Sequence, residues 1–283
     1  MTRVTENRMF LAFFAAAVAA CPLATTIVGQ AAPPPLPKSY ALIISGVSGD
    51  KQHYDKFWDC ASSLYKALRE RCGYSDEEIV LLFEEKGGGA SVVDDVSTRA
   101  RIVAAFEDLG RRMAKEDRLF VFCVGHANRH GNEIRYNLKG PDLTLQDLAG
   151  LLDKIPNDNI FFVLSTPLSG YFIRHASKPG RIVLTATDAL PQLSETAFPY
   201  LFVRGFYDET ADANRDGFLS ALELFNYTKE KVEEFFKEKE LIPTEYPMLD
   251  DTGNGRGERE PDPEKGPAGK RAAEEGFALQ AEE

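Results

Sequence analysis

The fold is decided by RLFVFCVGH at residues 118–126 and by NIFFVLSTPLSG at residues 159–170. Each stretch begins as a short run of Phe, Val, Leu and Ile, and each ends in small or polar residues. Continuous apolar runs between turn residues predict strands that are buried on both faces of a parallel sheet. Because such sheets carry their sites at the carboxyl ends of neighbouring strands, we expect His126 and the loop 165–170 to lie at one edge.

The chain on both sides of these stretches alternates strands and helices. Apolar runs predict further strands at residues 41–45, 78–83 and 181–187, and a short edge segment or hairpin at 133–138. Apolar positions three or four residues apart predict helices at residues 54–71, 97–113, 144–154 and 197–206. This alternation predicts an α/β fold in which a mostly parallel sheet lies between helices, a three-layer α/β/α sandwich.

Composition narrows the function classes. The chain has 283 residues, of which 43% are hydrophobic and 27% charged, and this is typical of a globular protein with one main domain. A net charge of -11 argues against a nucleic-acid partner. The four cysteines, at positions 21, 60, 72 and 123, show no metal-ligand spacing, and Cys60 and Cys72 lie too far apart along one predicted helix to bridge. A disulfide framework is therefore not expected.

The amino-terminal residues 1–33 read as an export signal that runs into the start of a proline-rich spacer. Its apolar core, residues 9–20, is too short to span a bilayer. Two cleavage sites fit the sequence: a bacterial lipoprotein box that ends at Cys21, and an ordinary signal-peptidase site before Ala32. We expect an exported protein, either a cell-envelope lipoprotein whose membrane contact is a lipid on Cys21, or a secreted or periplasmic protein.

The folded domain is predicted to cover residues 38–248. The segment 250–283 holds ten acidic against five basic residues and has few apolar side chains to bury. Such a composition is typical of disorder, so we predict that residues 249–283 form a disordered acidic tail.

Residues 212–223, DANRDGFLSALE, match a twelve-residue calcium loop of the EF-hand type. Such a loop needs oxygen ligands at positions 1, 3, 5, 7, 9 and 12 and a glycine at position 6, which here is Gly217. The expected Ca²⁺ ligands are Asp212, Asn214, Asp216, the Phe218 carbonyl, Ser220 and a bidentate Glu223. An acidic cap on the helix that is predicted to follow, to about residue 239, is the alternative. Because one loop of this type is present, we expect a structural site of modest affinity.

The two strand ends resemble the catalytic motifs of legumain-like and caspase-like cysteine peptidases. Gly125-His126 is similar to the histidine motif of the family, and Ser169-Gly170 is similar to the end of its nucleophile motif. The resemblance extends over residues 41–85 upstream and to about residue 255 downstream. It implies the same three-layer architecture, a histidine base, and a nucleophile cysteine at the position that Pro167 occupies.

Pro167 lacks the catalytic groups that the resemblance implies at this position. The family uses the backbone N–H of the nucleophile as an oxyanion donor, so a proline removes both the thiol and one donor. Ser165 and Ser169 are each two residues from this position, and a displacement of about an ångström already costs orders of magnitude in rate. Cys123, inside a strand, reads as a buried apolar side chain. The arginine with which legumains recognise an acidic or amide side chain falls near Asp55, so that preference is not implied.

The expected function is that of an exported, catalytically inactive caspase-like domain that binds Ca²⁺ and a peptide or protein partner. In this function His126 is a relict base or a contact in a peptide groove. The plainer interpretation of His126 is a polar residue that hydrogen bonds hold at a strand end. Two further functions stay open: an active cysteine-type endopeptidase that uses His126 as its base, and a calcium-stabilised scaffold without peptide binding.

Overall fold

The structure is a computed structural model that describes residues 36–85, 92–190 and 195–280. The predicted export signal, residues 1–33 with Cys21, lies outside the described residues. Nowhere within the described ranges is a helix both long and apolar enough to cross a membrane.

Strands and helices alternate over most of the described chain. The strands, in chain order, are β1 (Ser39–Ser45), β2 (Ile79–Phe83), β3 (Asp95–Val96), β4 (Arg118–Val124), β5 (Ala127–His130), β6 (Glu133–Tyr136), β7 (Leu143–Thr144), β8 (Ile160–Leu164), β9 (Arg181–Thr185), β10 (Phe218–Ser220), β11 (Met248–Asp250) and β12 (Gly276–Ala278). The α-helices are α1 (Lys51–Glu70), α2 (Arg99–Arg112), α3 (Leu145–Leu152), α4 (Ile173–Ala176), α5 (Phe198–Arg204), α6 (Ala221–Glu238) and α7 (Lys270–Glu274).

Seven of the strands form one sheet in the order β11-β9-β8-β4-β1-β2-β3. Neighbouring strands run parallel, except that β11 pairs antiparallel with β9. The predicted mostly parallel α/β/α sandwich is therefore confirmed. Strands β4 and β8 are direct neighbours, with Cys123 opposite Leu164. The loops that follow these two strands leave from the same edge of the sheet.

Side chains of the sheet alternate between two cores, one on each face. In β4, Phe120 and Phe122 pack into a first core with α1, α5 and α6, whereas Val121 and Cys123 pack into a second core with α2, α3 and α4. A strand that is buried on both faces must be apolar at every position. This is why β4 and β8 read as continuous apolar runs in the sequence.

Polar caps fix where the helices begin. Helix α1 begins at Lys51, before the predicted start at residue 54, because the Asp50 carboxylate accepts a hydrogen bond from the His53 N–H (2.9 Å). Capping boxes begin two other helices, Thr144 with Asp147 at α3 and Ser220 with Glu223 at α6. The first turn of α1, which carries His53, is therefore separated from the carboxyl end of β1 only by the turn at residues 46–50.

A small antiparallel sheet follows β4. The segment that was predicted as a short edge segment or hairpin at residues 133–138 forms β6, which makes a hairpin with β5 and is the central strand of this sheet, because β7 pairs with its other side. The Tyr136 hydroxyl lies 2.7 Å from the Val124 carbonyl oxygen and 3.0 Å from that of Ile44. This side chain holds the carboxyl ends of β1 and β4 together.

The acidic segment after residue 248 is folded, so the prediction of a disordered tail over residues 249–283 is wrong for the part that the structure describes. Strand β11 extends to Asp250, and α7 and β12 follow, with β12 paired antiparallel to β10. Phe277 is buried in the first core, its ring centroid 4.9 Å from that of Phe206. Average composition misses this arrangement because a single aromatic side chain that enters an existing core anchors a polar segment.

Hydrogen bonds from two carboxylates hold the rest of this segment. Asp251 accepts the backbone N–H groups of Gly269 and Ala272, each at 3.0 Å, and so ties the exit of β11 to the start of α7. Asp250 accepts the N–H groups of Thr252 and of Gly255 (2.9 and 3.0 Å). The acidic side chains of the segment thus act as acceptors for its own backbone, and the predicted domain boundary at residue 248 falls inside the fold.

Candidate functional site

The candidate site lies at the edge of the sheet where β1, β4 and β8 end. Gly125 follows β4 with φ of +152°, and a Cβ at this position would lie 3.0 Å from the Cα of Gly46, after β1. Only glycine allows the two backbones this close approach. The fold therefore requires a glycine at position 125, whatever the role of His126.

His126 is half-buried beside the turn that leads from β1 to α1. Its Nε2 atom lies 3.2 Å from the Ser48 carbonyl oxygen, and since a carbonyl only accepts, Nε2 carries the proton. Its ring centroid lies 5.1 Å from that of Phe57 and 4.8 Å from that of His53. Burial and the neighbouring His53 lower the pKa of His126 below its usual value, so the ring is neutral at pH 7.

His53 is a site residue that the sequence analysis missed. Its Nδ1 atom lies 2.7 Å from an Asp50 carboxylate oxygen, and its Nε2 atom lies 3.3 Å from one of Glu195. Glu195 is also bonded to the Lys56 ammonium (2.9 Å). Asp50 is an N-cap residue type, and this signal in the sequence places His53 in the first turn of a helix. No local sequence pattern indicates that Glu195, in the segment after β9, reaches the same site.

Pro167, at the position of the family nucleophile, is buried in the loop after β8. The Ser165 hydroxyl donates to the Cys123 carbonyl oxygen (2.7 Å), and the Thr166 hydroxyl donates to that of Pro167 itself (3.1 Å). Both hydroxyls are buried. The Ser165 hydroxyl holds the loop against β4 and the Thr166 hydroxyl bonds within the loop, so both donate to backbone carbonyls and neither faces His126 with a hydrogen bond.

Ser169 and Gly170 join the same loop to the segment after β9. The Ser169 hydroxyl oxygen accepts the Thr187 N–H (3.1 Å), and the Gly170 N–H donates to the Thr187 hydroxyl (3.3 Å). A Cβ at Gly170 would lie 2.1 Å from the carbonyl carbon of Asp188. Within the described residues, no hydrogen bond joins His126 to Ser165 or Ser169.

The three described cysteines are buried or partly buried free thiols. Cys60 donates to the Pro199 carbonyl oxygen (3.6 Å), and Cys123 lies inside β4. Burial raises the thiol pKa of both, and it raises that of Cys72 to about 12. None of these three sulfur atoms hydrogen-bonds to His126, so none is an activated thiolate.

Asp55, where the resemblance places an arginine that recognises substrate, is exposed on α1. Its carboxylate pairs with the Lys51 ammonium one turn earlier (2.8 Å). Asp55 therefore cannot replace the arginine, because it supplies no positive charge to bind an acidic or amide side chain of a peptide.

Residues 212–223 form a closed turn that runs into the first turn of α6. Gly217 has φ of +80°, the left-handed backbone that the sixth position of a calcium loop requires. The N–H groups of Asp216 and Gly217 donate to the Asp212 carboxylate (3.3 and 3.0 Å). The backbone therefore wraps around the first acidic side chain of the loop.

Glu223 closes this turn from its far end. One carboxylate oxygen accepts the N–H and hydroxyl of Ser220 (3.0 and 2.7 Å), which is the helix cap of the alternative interpretation. The other accepts the N–H of Asn214 (3.4 Å) and so brings loop positions 12 and 3 together. Across the described ranges, no group of three or more His, Cys, Asp or Glu side chains is arranged as a metal site. The donor set itself, all oxygen, is the one that Ca²⁺ prefers.

No protein-family model matches this chain, and a search of curated proteins returns no match.

Proposed function

We propose that this chain is an exported, caspase- and legumain-like domain without peptidase activity. In this proposal it binds Ca²⁺ through residues 212–223 and a peptide or protein partner beside His126. The observation that carries the proposal is the pairing of a histidine at one strand end with a buried proline, Pro167, at the next.

The chemistry of acyl transfer explains why this pairing argues against turnover. The reaction needs a nucleophile, a base that activates it, and donors for the oxyanion. Pro167 offers neither a thiol nor a backbone N–H. The hydroxyls of Ser165 and Ser169 are buried and already hydrogen-bonded. His126 then has no nucleophile from which to remove a proton.

Binding of a peptide is supported by the position of the remaining polar groups. In parallel sheets of this kind, ligands bind outside the carboxyl ends of the strands. At this edge His126 and His53 present two imidazoles in edge-to-face contact, with the carboxylates of Asp50 and Glu195 next to them. Such a group of donors and acceptors suits the backbone and polar side chains of an extended peptide.

Calcium binding is supported by the complete set of oxygen donors and by the turn at Gly217. Strand β10, which supplies loop positions 7 to 9, pairs with β12 near the carboxyl terminus. A cation in the loop would therefore stabilise this small sheet together with the loop, which suits a structural role.

Export belongs to the same proposal and rests on residues 1–33, with Cys21 as the candidate lipidation site. Labelling of cells with a radioactive fatty acid tests the lipoprotein form. Wild type should incorporate the label and Cys21→Ser should not. A protein that stays uncleaved in the cytoplasm would contradict export in either form.

The peptidase proposal is tested with the purified domain and a panel of peptides that vary in the residue before the cleavage point. We expect no turnover with millimolar calcium or with chelator, the same result for His126→Ala, and no labelling by a thiol-directed activity probe. Turnover that His126→Ala abolishes would favour the active endopeptidase instead.

Partner binding has a separate test. A displayed peptide library should yield sequences that wild type retains and that His126→Ala releases. If the folded domain retains no peptide, the calcium-stabilised scaffold is the better description.

A further inference from the structure

A cavity of about 600 Å³ lies on the helical side of the first core, between α1, α5 and the carboxyl-terminal end of α6. Its volume falls in the range of sites for small molecules, about 300 to 1,000 Å³. Its wall includes two carboxylates, Glu195 and Glu245, and an apolar rim after α6. Glu195 lies between this cavity and the proposed peptide site, where it contacts His53, whereas Glu245 and the apolar rim take no part in the proposed calcium or peptide binding.

Glu245 forms the buried polar end of the cavity. Its side chain is 3% exposed, and its two carboxylate oxygens accept the N–H groups of Ala197 (2.7 Å) and Phe198 (3.1 Å). No lysine or arginine nitrogen in the described chain forms a salt bridge with it. Burial, opposed by these two hydrogen bonds, raises the pKa of Glu245 to about 7, and the like charge of Glu195 adds to the effect.

Glu195, by contrast, is fully partnered. It accepts hydrogen bonds from the Lys56 ammonium (2.9 and 3.0 Å) and from the Tyr200 hydroxyl (2.9 Å). Burial works to raise its pKa, but these partners hold the pKa below its ordinary value. The charge of Lys56 is thus already matched, and the unmatched carboxylate in the cavity is Glu245.

The rim of the cavity is exposed and carries large apolar side chains together with Lys239. Leu241 and Ile242 are 52% and 85% exposed, and the Phe235 ring lies beside them on the cavity wall. The Lys239 ammonium lies 4.5 Å from the centroid of this ring. Large apolar side chains clustered at a cavity mouth are typical of a ligand site.

We propose that this cavity binds a small organic cation, an ammonium group on an apolar stem. The ammonium would hydrogen-bond to the Glu245 carboxylate, and the stem would pack on Phe235, Leu241 and Ile242. A charge-assisted hydrogen bond to a buried carboxylate is strong because little water screens it. A neutral or anionic ligand of the same shape would leave Glu245 without a counter-charge.

The test uses three probes of one shape: 4-phenylbutylamine, 4-phenylbutan-1-ol and 4-phenylbutanoate. Binding to the whole chain at pH 8 is followed by calorimetry and by amide chemical shifts. We expect saturable binding of the amine, at least tenfold weaker binding of the alcohol, and the weakest binding of the carboxylate. Equal affinity for amine and alcohol, or no saturable binding of the amine, would overturn the proposal.

Variants locate the site. Glu245→Gln should reduce the affinity for the amine to that for the alcohol, whereas Glu238→Gln, an exposed carboxylate on α6, should change neither. If Glu245→Gln does not fold, Ile242→Ser serves instead, since its side chain is exposed. It should weaken amine and alcohol alike by several-fold, and an unchanged affinity of both probes in this folded variant would contradict the assignment of the site.

Discussion

Gly170 belongs to the loop after β8, and the backbone of Asp188 leaves no room for a side chain at this residue. Both glycines of the resemblance, Gly125 and Gly170, are required by backbone crowding, against Gly46 and Asp188 respectively. Ser169 likewise has a structural task, because it joins the loop to Thr187. The backbone and the loop contacts require these residues whether or not the site is active, so their presence supports the fold and not an activity.

The crowding at Gly170 makes a direct prediction. In Gly170→Ala the added methyl would lie 2.1 Å from the Asp188 carbonyl carbon, and backbone must move to admit it. We expect a loss of about 1–3 kcal/mol in the free energy of unfolding, measured by urea denaturation. Gly150→Ala is the control, since nothing lies within 4 Å of that position in α3, and it should be neutral or stabilising. Similar stability of both variants would contradict the crowding.

Glu245 predicts a pH dependence of stability. Its pKa is about 7 in the folded protein and lies near its ordinary value of 4.5 in the unfolded chain, so the folded state holds the proton more tightly. Its contribution to stability is therefore fully present below pH 4.5 and is lost as the pH rises through 7. The full loss is on the order of 3 kcal/mol, because the two pKa values differ by about 2.5.

Comparison of wild type with Glu245→Gln isolates this contribution. Gln cannot ionise, so the variant should gain stability relative to wild type between pH 5 and pH 8.5, whatever constant cost its altered hydrogen bonds to Ala197 and Phe198 add. Glu195, Lys56, Tyr200 and Lys239 also face the cavity, but they are common to both proteins. A difference between the two proteins that is the same at pH 5 and pH 8.5 would show that burial does not perturb this carboxyl.

At the scale of elements, β12 is the clearest departure from the sequence prediction. It is three residues long, follows a helix of five, and lies in a segment rich in acid, glycine and proline. No periodic pattern in the sequence marks this strand. Pairing with β10 sets its register, and its one buried side chain, Phe277, packs into the first core. Long-range pairing of this kind has no local signature in a sequence.

Phe277 anchors β12 to the first core, so its removal should lower the free energy of unfolding. The ring contacts those of Phe120, Phe161 and Phe206 with centroid distances of 5.0, 6.2 and 4.9 Å. Phe277→Ala should destabilise the protein by about 3–5 kcal/mol, read from urea denaturation. Ala278→Ser, an exposed change in the same strand, should stay within about 0.5 kcal/mol of wild type. A fully stable Phe277→Ala would mean that the segment does not contribute to the core.

The elements that the sequence predicted well are those whose signal is local. Strands β4 and β8 are continuous apolar runs, and α6 begins at a readable capping box. The start of α1 was misplaced because its first turn is set by a cap at Asp50 and not by the apolar stripe. The short helix α4 was missed because it holds only one turn and no pattern of its own.

At the scale of the molecule, the candidate site was predictable only in part. His126 and the loop 165–170 were placed at one edge because parallel strands that are neighbours in a sheet end together. His53 and Glu195 join them from α1 and from the segment after β9, and that meeting depends on the packing of the first core. The cavity at Glu245 is likewise formed by the packing of α1, α5 and α6, so no local stretch of sequence indicates it.

The proposed calcium loop, residues 212–223, links this scale to stability. Its positions 7 to 9 form β10, which pairs with β12, and β12 carries Phe277 into the first core. A cation that binds only the native state stabilises it by mass action, by about 2.7 kcal/mol at a hundredfold excess over the dissociation constant. For a domain of this size about 2–4 °C in melting temperature corresponds to each kcal/mol. The melting temperature should therefore rise by several degrees from chelator to millimolar calcium.

Glu223→Gln separates the calcium site from the helix cap. Glutamine still serves in a capping box with Ser220, so α6 should keep its start, but the bidentate charged ligand at position 12 is lost. We expect this variant to lose most of the calcium response while its melting temperature in chelator stays close to that of wild type. Glu233→Gln, an exposed change on the same helix, should keep the full response. An identical melting temperature of wild type in chelator and in calcium, together with no calcium in the purified protein by elemental analysis, would reduce residues 212–223 to a cap, since a cap is complete without a cation.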